Sequence, residues 1–321
     1  MDIVRSVAEL RGALAAPRRD GRRIGLVPTM GAFHDGHLSL MRHARSRCDV
    51  VVVSLFVNPA QFNDAGDLAV YPRDEAQDAA QAAELGVDHL FVPPVDEVYP
   101  PGFATTVSVS GLTEGLEGAV RGRGHFDGVT TVVTKLLNMV GPDVAYFGQK
   151  DAQQATVVRR LAADLNIPVE IKVCPTVRAP DGLALSSRNL LLSDSERRRA
   201  TVLHRALSRV RSAVAAGERD PDAATEEARA ELARAHVEPE YLQIVSAQTM
   251  VPVETIEGDV LAVIAARIGA VRLIDNVPIS AAAIRGPSTS ERLATSRLTM
   301  NRTIDNAVAT PVPGANHQQE A

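Results

Sequence analysis

The sequence predicts an α/β protein: a Rossmann-like, doubly wound parallel sheet followed by a smaller C-terminal α+β domain. Three observations carry this. Between residues 23 and 176, short β-branched runs alternate with helical patterns, the mark of successive βαβ units. Those runs show little polar alternation, as expected of strands covered on both faces. After residue 176 the alternation stops, and two helical stretches precede three strand-like runs.

Taken in order, Met1–Leu14 reads as a strand and then an amphipathic helix. Arg23–Pro28, Val50–Val57, His89–Val92, Asp143–Phe147 and Val169–Val173 read as the strands that follow. The first intervening helix is marked by Leu38, Met41, Ala44 and Cys48 at three- and four-residue spacing. Tyr71–Leu85, Val129–Val140 and Asp151–Leu165 supply the others. Ser193 to Glu196 has capping-box spacing and opens a helix to about Ala216; a second starts at Asp220-Pro221, with proline at the favoured first position. Glu240–Val245, Val260–Ile268 and Val271–Ile274 are the late strands. The expected units are residues 1–176, 177–286 and a disordered, Ser/Thr/Pro/Asn-rich tail at 287–321.

Composition narrows the function. A net charge of −5 argues against a general nucleic-acid binder, and 3% aromatic residues without Trp argue against base-stacking platforms. Cys48 and Cys174 lack CxxC spacing, so neither a zinc site nor a disulfide framework is expected; they read as small buried hydrophobes in a reducing cytosol. No run approaches the ~18 apolar residues of a membrane span, and the N-terminus lacks signal-peptide features. A cytoplasmic protein without membrane contact is expected.

Ligands of doubly wound sheets bind beyond the carboxyl ends of the strands, which directs attention to the loops after Pro28, Val57 and Phe147. The first is Pro28-Thr29-Met30-Gly31-Ala32-Phe33-His34-Asp35-Gly36-His37. A strand ends, glycines let the chain turn, and a helix begins near Gly36 or His37, whose free N–H groups attract phosphate oxygens. His34 and His37, three apart, can face one ligand and stabilise growing negative charge. The zinc-protease HExxH pattern is absent, so phosphate binding is favoured over metal binding.

HxGH after such a strand resembles the nucleotidyltransferase superfamily that includes class I aminoacyl-tRNA synthetases. The fuller string is similar to the pantothenate synthetase (pantoate–β-alanine ligase) family. Ser54-Leu55-Phe56-Val57-Asn58-Pro59-Ala60-Gln61-Phe62, Tyr71-Pro72-Arg73, Gly124-His125-Phe126, Phe147-Gly148-Gln149-Lys150-Asp151 and Gly182 to Asn189 match later blocks in the family's order. A weaker likeness, including Leu273-Ile274-Asp275-Asn276, extends to about residue 280.

The resemblance implies an AMP-forming ligase that joins pantoate to β-alanine through pantoyl adenylate, with ATP as substrate and Mg²⁺ held mainly by its phosphates. It also suggests a homodimer. Met30, Gly31, Ala32, Phe33, His34, Asp35, Gly36 and His37 are implied at the ATP site, His34 and His37 at the phosphates. Gly148, Gln149, Lys150 and Asp151 are implied beside them, Lys150 near the phosphates and Asp151 suiting a ribose hydroxyl; the Gln149 side chain is given no role. Leu185, Ser186, Ser187 and Arg188 correspond to a mobile KMSKS-like loop suited to the β- and γ-phosphates. Val177 is implied as a backbone contact to adenine, and Gln61 and Gln154 as holders of pantoate. Arg123 and His125 stay unassigned, because the family often has RPGHF where this chain has RGRGHF. The four residues implied in catalysis are His34, His37, Lys150 and Arg188. Two other readings remain at this point: another HxGH nucleotidyltransferase, and a non-catalytic nucleotide sensor.

Overall fold

The computed structural model describes residues 1–62 and 74–280. Strands β1 (Asp2–Val4), β2 (Ile24–Thr29), β3 (Val50–Leu55), β4 (His89–Phe91), β5 (Val144–Gly148) and β6 (Glu170–Cys174) form one parallel sheet in the order β1-β4-β3-β2-β5-β6. Starting from β2, the chain winds outward through β3 and β4, then returns to pair β5 on the other side of β2. The carboxyl ends of β2 and β5 therefore flank the point where the winding reverses, where a crevice opens in such sheets.

The central strands are buried on both faces, which is why their sequences carry no polar alternation. One face packs against α1 (Val7–Arg19), α6 (Arg123–Val140) and α7 (Ala152–Asp164), giving a core that includes Leu10, Leu14, Val133, Leu137 and Leu161. The other packs against α2 (Asp35–Arg45) and α3 (Glu75–Glu84) around Met41, Ala44, Ala82 and Tyr146. Cys48 and Cys174 are free thiols in this second core. Short helices α4 (Val95–Val98) and α5 (Glu117–Arg121) have no counterpart in the sequence reading.

Beyond β6, α8 (Asp194–Ala200), α9 (Val202–Ala215) and α10 (Pro221–Arg234) pack on an antiparallel sheet of β7 (Pro239–Ser246), β8 (Val260–Ile268) and β9 (Val271–Ile279). The Ser193–Glu196 capping box is formed. The single helix expected to reach Ala216 is instead two, divided at Thr201, whose hydroxyl donates to the Arg198 carbonyl at 2.7 Å. The late strand expected to stop at Ile274 continues to Ile279, through buried Asp275 and Asn276. These polar residues do not end the strand: Asn276 ties it to the turn just past β5, and Asp275 to Arg178 beyond β6. A small cluster of Leu116, Ala152, Val245, Met250, Leu261 and Val263 also bridges the two sheets. The expected tail, the Tyr71-Pro72-Arg73 block and the first residues of the helix expected from Tyr71 lie outside the described residues.

Candidate active site

The turn after β2 is built around one buried carboxylate. Asp78 on α3 accepts from the backbone N–H groups of Ala32 (2.9 Å) and Phe33 (2.7 Å). Ala32 has φ 52°, a left-handed conformation costly for a residue with a Cβ, and these two bonds offset that cost. Gly31 has φ 90°, and a Cβ there would meet Asp78 Oδ2 at 2.9 Å, so the turn requires glycine twice over. Desolvation raises the Asp78 pKa against the opposing effect of the two amides.

His34 caps α2, its Nδ1 accepting from the Gly36 N–H at 3.1 Å. An accepting Nδ1 is unprotonated, so the proton of the neutral ring sits on Nε2 and is offered as a donor. Gly36 is needed for a reason the motif does not reveal: a Cβ there would lie 2.7 Å from His34 Cε1, where the ring folds back to cap the helix. The His37 ring lies beside it, with centroids 4.2 Å apart. Burial, then the neighbouring His34, lowers the His37 pKa to about 3; burial followed by Lys150 lowers that of His34. Both imidazoles are neutral at pH 7.

On the far side of β3, Pro59–Gln61 forms a 3-10 turn capped by Asn58, which is 1% exposed. Asn58 donates to Gln61 Oε1 (3.1 Å) and to the Gly128 carbonyl (3.1 Å), and its Oδ1 accepts from the Tyr99 hydroxyl (2.8 Å). Gln61 Nε2 points to Met30 Sδ at 3.0 Å. The Gln61 carbonyl accepts from His125 Nδ1 at 2.8 Å. Gly128 lets α6 approach this turn, since a Cβ there would lie 2.3 Å from the Ala60 carbonyl oxygen.

At the end of β5, Gly148 has ordinary φ −84°, and a Cβ there would meet no protein atom within 4 Å. The space beside it belongs to the cavity. Lys150 Nζ lies 3.5 Å from Asp151 Oδ1. The adjacent glutamines divide the work of α7. Gln153 is buried; it accepts from the Glu117 N–H and donates to the Leu112 and Gly115 carbonyls, fastening the segment before α5. Gln154 lines the cavity.

The Gln149 side chain does have a partner: its Nε2 donates to Asn276 Oδ1 at 2.9 Å, while Asn276 Nδ2 donates to the Gln149 and Lys150 carbonyls at 2.9 and 3.0 Å. Asp275 holds Arg178 in a two-pronged pair at 2.6 and 2.9 Å. Glu117 is held likewise by Arg272 (2.7 and 2.8 Å), and also by Arg121 and the Tyr241 hydroxyl. Burial alone would raise the Glu117 pKa; Arg272, Arg121 and Tyr241 outweigh it and hold the carboxyl at about 2.

These pieces surround a cavity of about 860 Å³. Of the expected residues, Met30, His34, Gly36, His37, Gln61, Gly148, Lys150, Asp151, Gln154, Val177, Leu185, Ser186, Ser187 and Arg188 line it. Gly31, Ala32, Phe33, Asp35 and Gln149 do not: Phe33 is packed in the core, Asp35 faces solvent, and Gln149 turns toward Asn276. Ser187–Leu191 is a 3-10 turn whose Ser186 hydroxyl accepts from the Arg188 N–H, and Val177 O accepts from Leu185 N at 3.0 Å. One wall is apolar, with Val129, Val132, Val133 and Leu136 from α6. The sequence reading missed Asn58, Asp78, Gln153 and Asn276, and it left His125 unassigned. Asn58 and Asn276 lay inside matched blocks; Asp78 and Gln153 looked like ordinary helix-surface residues.

The model of a family described as pantoate-beta-alanine ligase matches residues 2–278. A pantothenate synthetase of Cereibacter sphaeroides is 53% identical over 277 residues, covering 86% of this chain and 99% of that protein. One from Chelativorans sp. is 54% identical over 278 residues, covering 87% and 98%. Among solved structures, a pantothenate synthetase from Thermus thermophilus aligns with TM-score 0.82 at 47% identity, covering 86% and 99%. A pantoate-beta-alanine ligase from Francisella tularensis, complexed with beta-gamma ATP and beta-alanine, aligns with TM-score 0.72 at 36% identity, covering 86% and 97%.

Proposed function

The chain belongs to the pantoate–β-alanine ligase family, and on that premise we propose how its cavity divides the work of the reaction. The enzyme is a ligase that condenses pantoate with β-alanine at the expense of ATP, giving pantothenate, AMP and pyrophosphate. The pantoate carboxylate attacks the α-phosphorus to form pantoyl adenylate. The amine of β-alanine then attacks the acyl carbon and AMP leaves.

In this reading both partners of the first step are anions, so the cavity must neutralise charge without offering a competing base. His34 donates through Nε2–H, His37 stands beside it, and Lys150 and Arg188 bring positive charge to the phosphates. Ser186 and Ser187 bond the β- and γ-phosphates, Asp151 a ribose hydroxyl, and the backbone around Val177 the adenine. Gln61 and Gln154 bind the pantoate oxygens, and the apolar wall of α6 receives its two methyl groups. The observation that carries the assignment is the lining of one cavity, which His34, His37, Lys150 and Arg188 share with the uncharged amides Gln61 and Gln154 and the aliphatic residues of α6.

Among the described residues no group of three or more His, Cys, Asp or Glu is arranged to hold a metal. The triphosphate oxygens and water, with Asp151 at hand, would suit Mg²⁺, whose contribution would be to offset phosphate charge. Residues 1–176 bind nucleotide and acid, and 177–286 act as the lid. A cytoplasmic homodimer completes the reading, supported by the free buried thiols and by the family likeness. No described helix is long and apolar enough to cross a membrane.

Product analysis with ATP, pantoate and β-alanine, each omitted in turn, tests the function. Pyrophosphate exchange into ATP should require pantoate and proceed without β-alanine. Release of ADP and phosphate would refute the adenylate.

A further inference from the structure

The proposed chemistry, on which this inference rests, leaves one proton without a destination. β-Alanine arrives as an ammonium, and its nitrogen has no lone pair until a proton leaves. The acid–base groups around the cavity can be compared by what they already hold. Glu117 is saturated by Arg272, Arg121 and Tyr241, and Asp275 is engaged by Arg178. Asp151 stands beside Lys150. His34 presents an N–H, because its Nδ1 is spent as an acceptor from Gly36. His37 shares that end of the cavity and has its Nδ1 buried without a partner.

His125 is the mirror case of His34. Its Nδ1 lies 2.8 Å from the Gln61 carbonyl oxygen, which can only accept. Nδ1 therefore carries the proton, and Nε2 carries the lone pair. Nε2 has no protein hydrogen bond among the described residues, is not among the buried unsatisfied atoms, and belongs to a ring that lines the cavity. The ring is kept neutral chiefly by burial; the Gln61 carbonyl opposes this, Arg121 and Arg188 favour it, and Glu117 opposes it. The cavity thus holds one imidazole showing a donor, suited to phosphate, and one showing an acceptor, suited to an ammonium. The second is bonded to the very residue assigned to pantoate.

We propose that His125 is the catalytic acceptor of the amine: Nε2 accepts a hydrogen bond from the β-alanine ammonium and takes the proton that frees its nitrogen to attack. The C–N bond forms, and the acyl C–O bond to phosphate breaks with its electron pair leaving on AMP. The first ammonium proton passes to Nε2. The second, lost from nitrogen as the amide forms, goes to the departing phosphate or to water.

His125→Asn separates this from a supporting role. The Asn amide NH₂ falls near the position of Nδ1 and keeps the donor to Gln61, while nothing replaces Nε2. Pyrophosphate exchange with ATP and pantoate reports the first half-reaction. Single-turnover transfer from bound pantoyl adenylate to β-alanine, and separately to hydroxylamine, reports the second. Hydroxylamine needs no base, because its nitrogen is already neutral at pH 7. Transfer to β-alanine should fall by ~10²–10⁴, with much smaller losses in exchange and in hydroxamate formation. Unchanged transfer to β-alanine would overturn the proposal. So would equal losses with both nucleophiles or in exchange, which would leave His125 only the task of holding Gln61. Absence of exchange in the unsubstituted enzyme would instead refute the adenylate mechanism on which the proposal depends.

Discussion

At the scale of single residues, two histidines show how a backbone contact decides side-chain chemistry. His34 meets an N–H and His125 meets a carbonyl, so their open nitrogens have opposite character. Replacing His37, packed against His34 at the start of α2, tests the donor end. His37→Ala should lower kcat by ~10²–10³ with little change in melting temperature, the scale for losing one preorganised donor. Steady-state kinetics on the soluble variant check this, and near-normal turnover would remove His37 from the phosphate site. The motif residues themselves were legible because their chemistry is local: a strand end, a tight turn and a helix start within ten residues. Their supports were not. Asp78 reaches the turn across 46 positions, and nothing in its own helix distinguishes it from a solvated acid. Likewise Gln149 finds Asn276 across 127 positions, so a reading confined to neighbouring residues assigns its side chain nothing.

At the scale of elements, the apolar runs placed β2 to β6 to within about two residues, and the central strands, buried on both faces, write them continuously. Periodicity failed where polar residues are buried with partners, as at Asp275 and Asn276 in β9, and where α8 and α9 share one continuous helical pattern. The approach of α6 to the turn at residues 59–61 gives an element-level test. Gly128→Ala would press a methyl group against the Ala60 carbonyl, so the turn or the helix must move. A loss of ~1–3 kcal/mol of stability is expected from such overpacking, together with a KM for pantoate raised more than that for ATP. Thermal melts and separate substrate titrations measure both. An unchanged pantoate KM would show that the turn does not position Gln61 for the acid.

The junction of α5, β7 and β9 makes a second test, through pH. The Glu117 carboxyl is depressed to about 2 in the folded protein from an ordinary value of 4.5, so the folded state favours its ionised form. The resulting stability is fully present above pH 4.5 and is lost as pH falls through the folded value. Its scale is on the order of 3 kcal/mol. Glu117→Gln should be less stable at pH 7 and should flatten the melting-temperature profile between about pH 4.5 and 2. An acid limb as steep as that of the unsubstituted protein would place the titrating group elsewhere.

At the scale of the whole molecule, the two sheets are joined beside the groups proposed for catalysis, and much of the join is polar. Arg178–Asp275, Glu117–Arg272 and the Gln149–Asn276 exchange run alongside a small apolar cluster. A purely hydrophobic join would hold the two bodies together, but it would fix no particular register. Hydrogen bonds to the backbone of residues 149 and 150 do fix one, because Asn276 grips the carbonyl of the lysine assigned to the phosphates. Asn276→Ala leaves two carbonyls and the Gln149 amide without their partner, at a cost of ~1–3 kcal/mol for each group left buried and unsatisfied. The loss should therefore appear twice: as a lower melting temperature, and as weaker pyrophosphate exchange, though the proposed chemistry gives Asn276 no direct part. Asn276→Asp tests the same point more narrowly, keeping shape and acceptor while removing the donor to residues 149 and 150. If either variant is destabilised yet exchanges pyrophosphate at the normal rate, the join serves stability alone, and Lys150 is positioned by β5 without help from the second sheet.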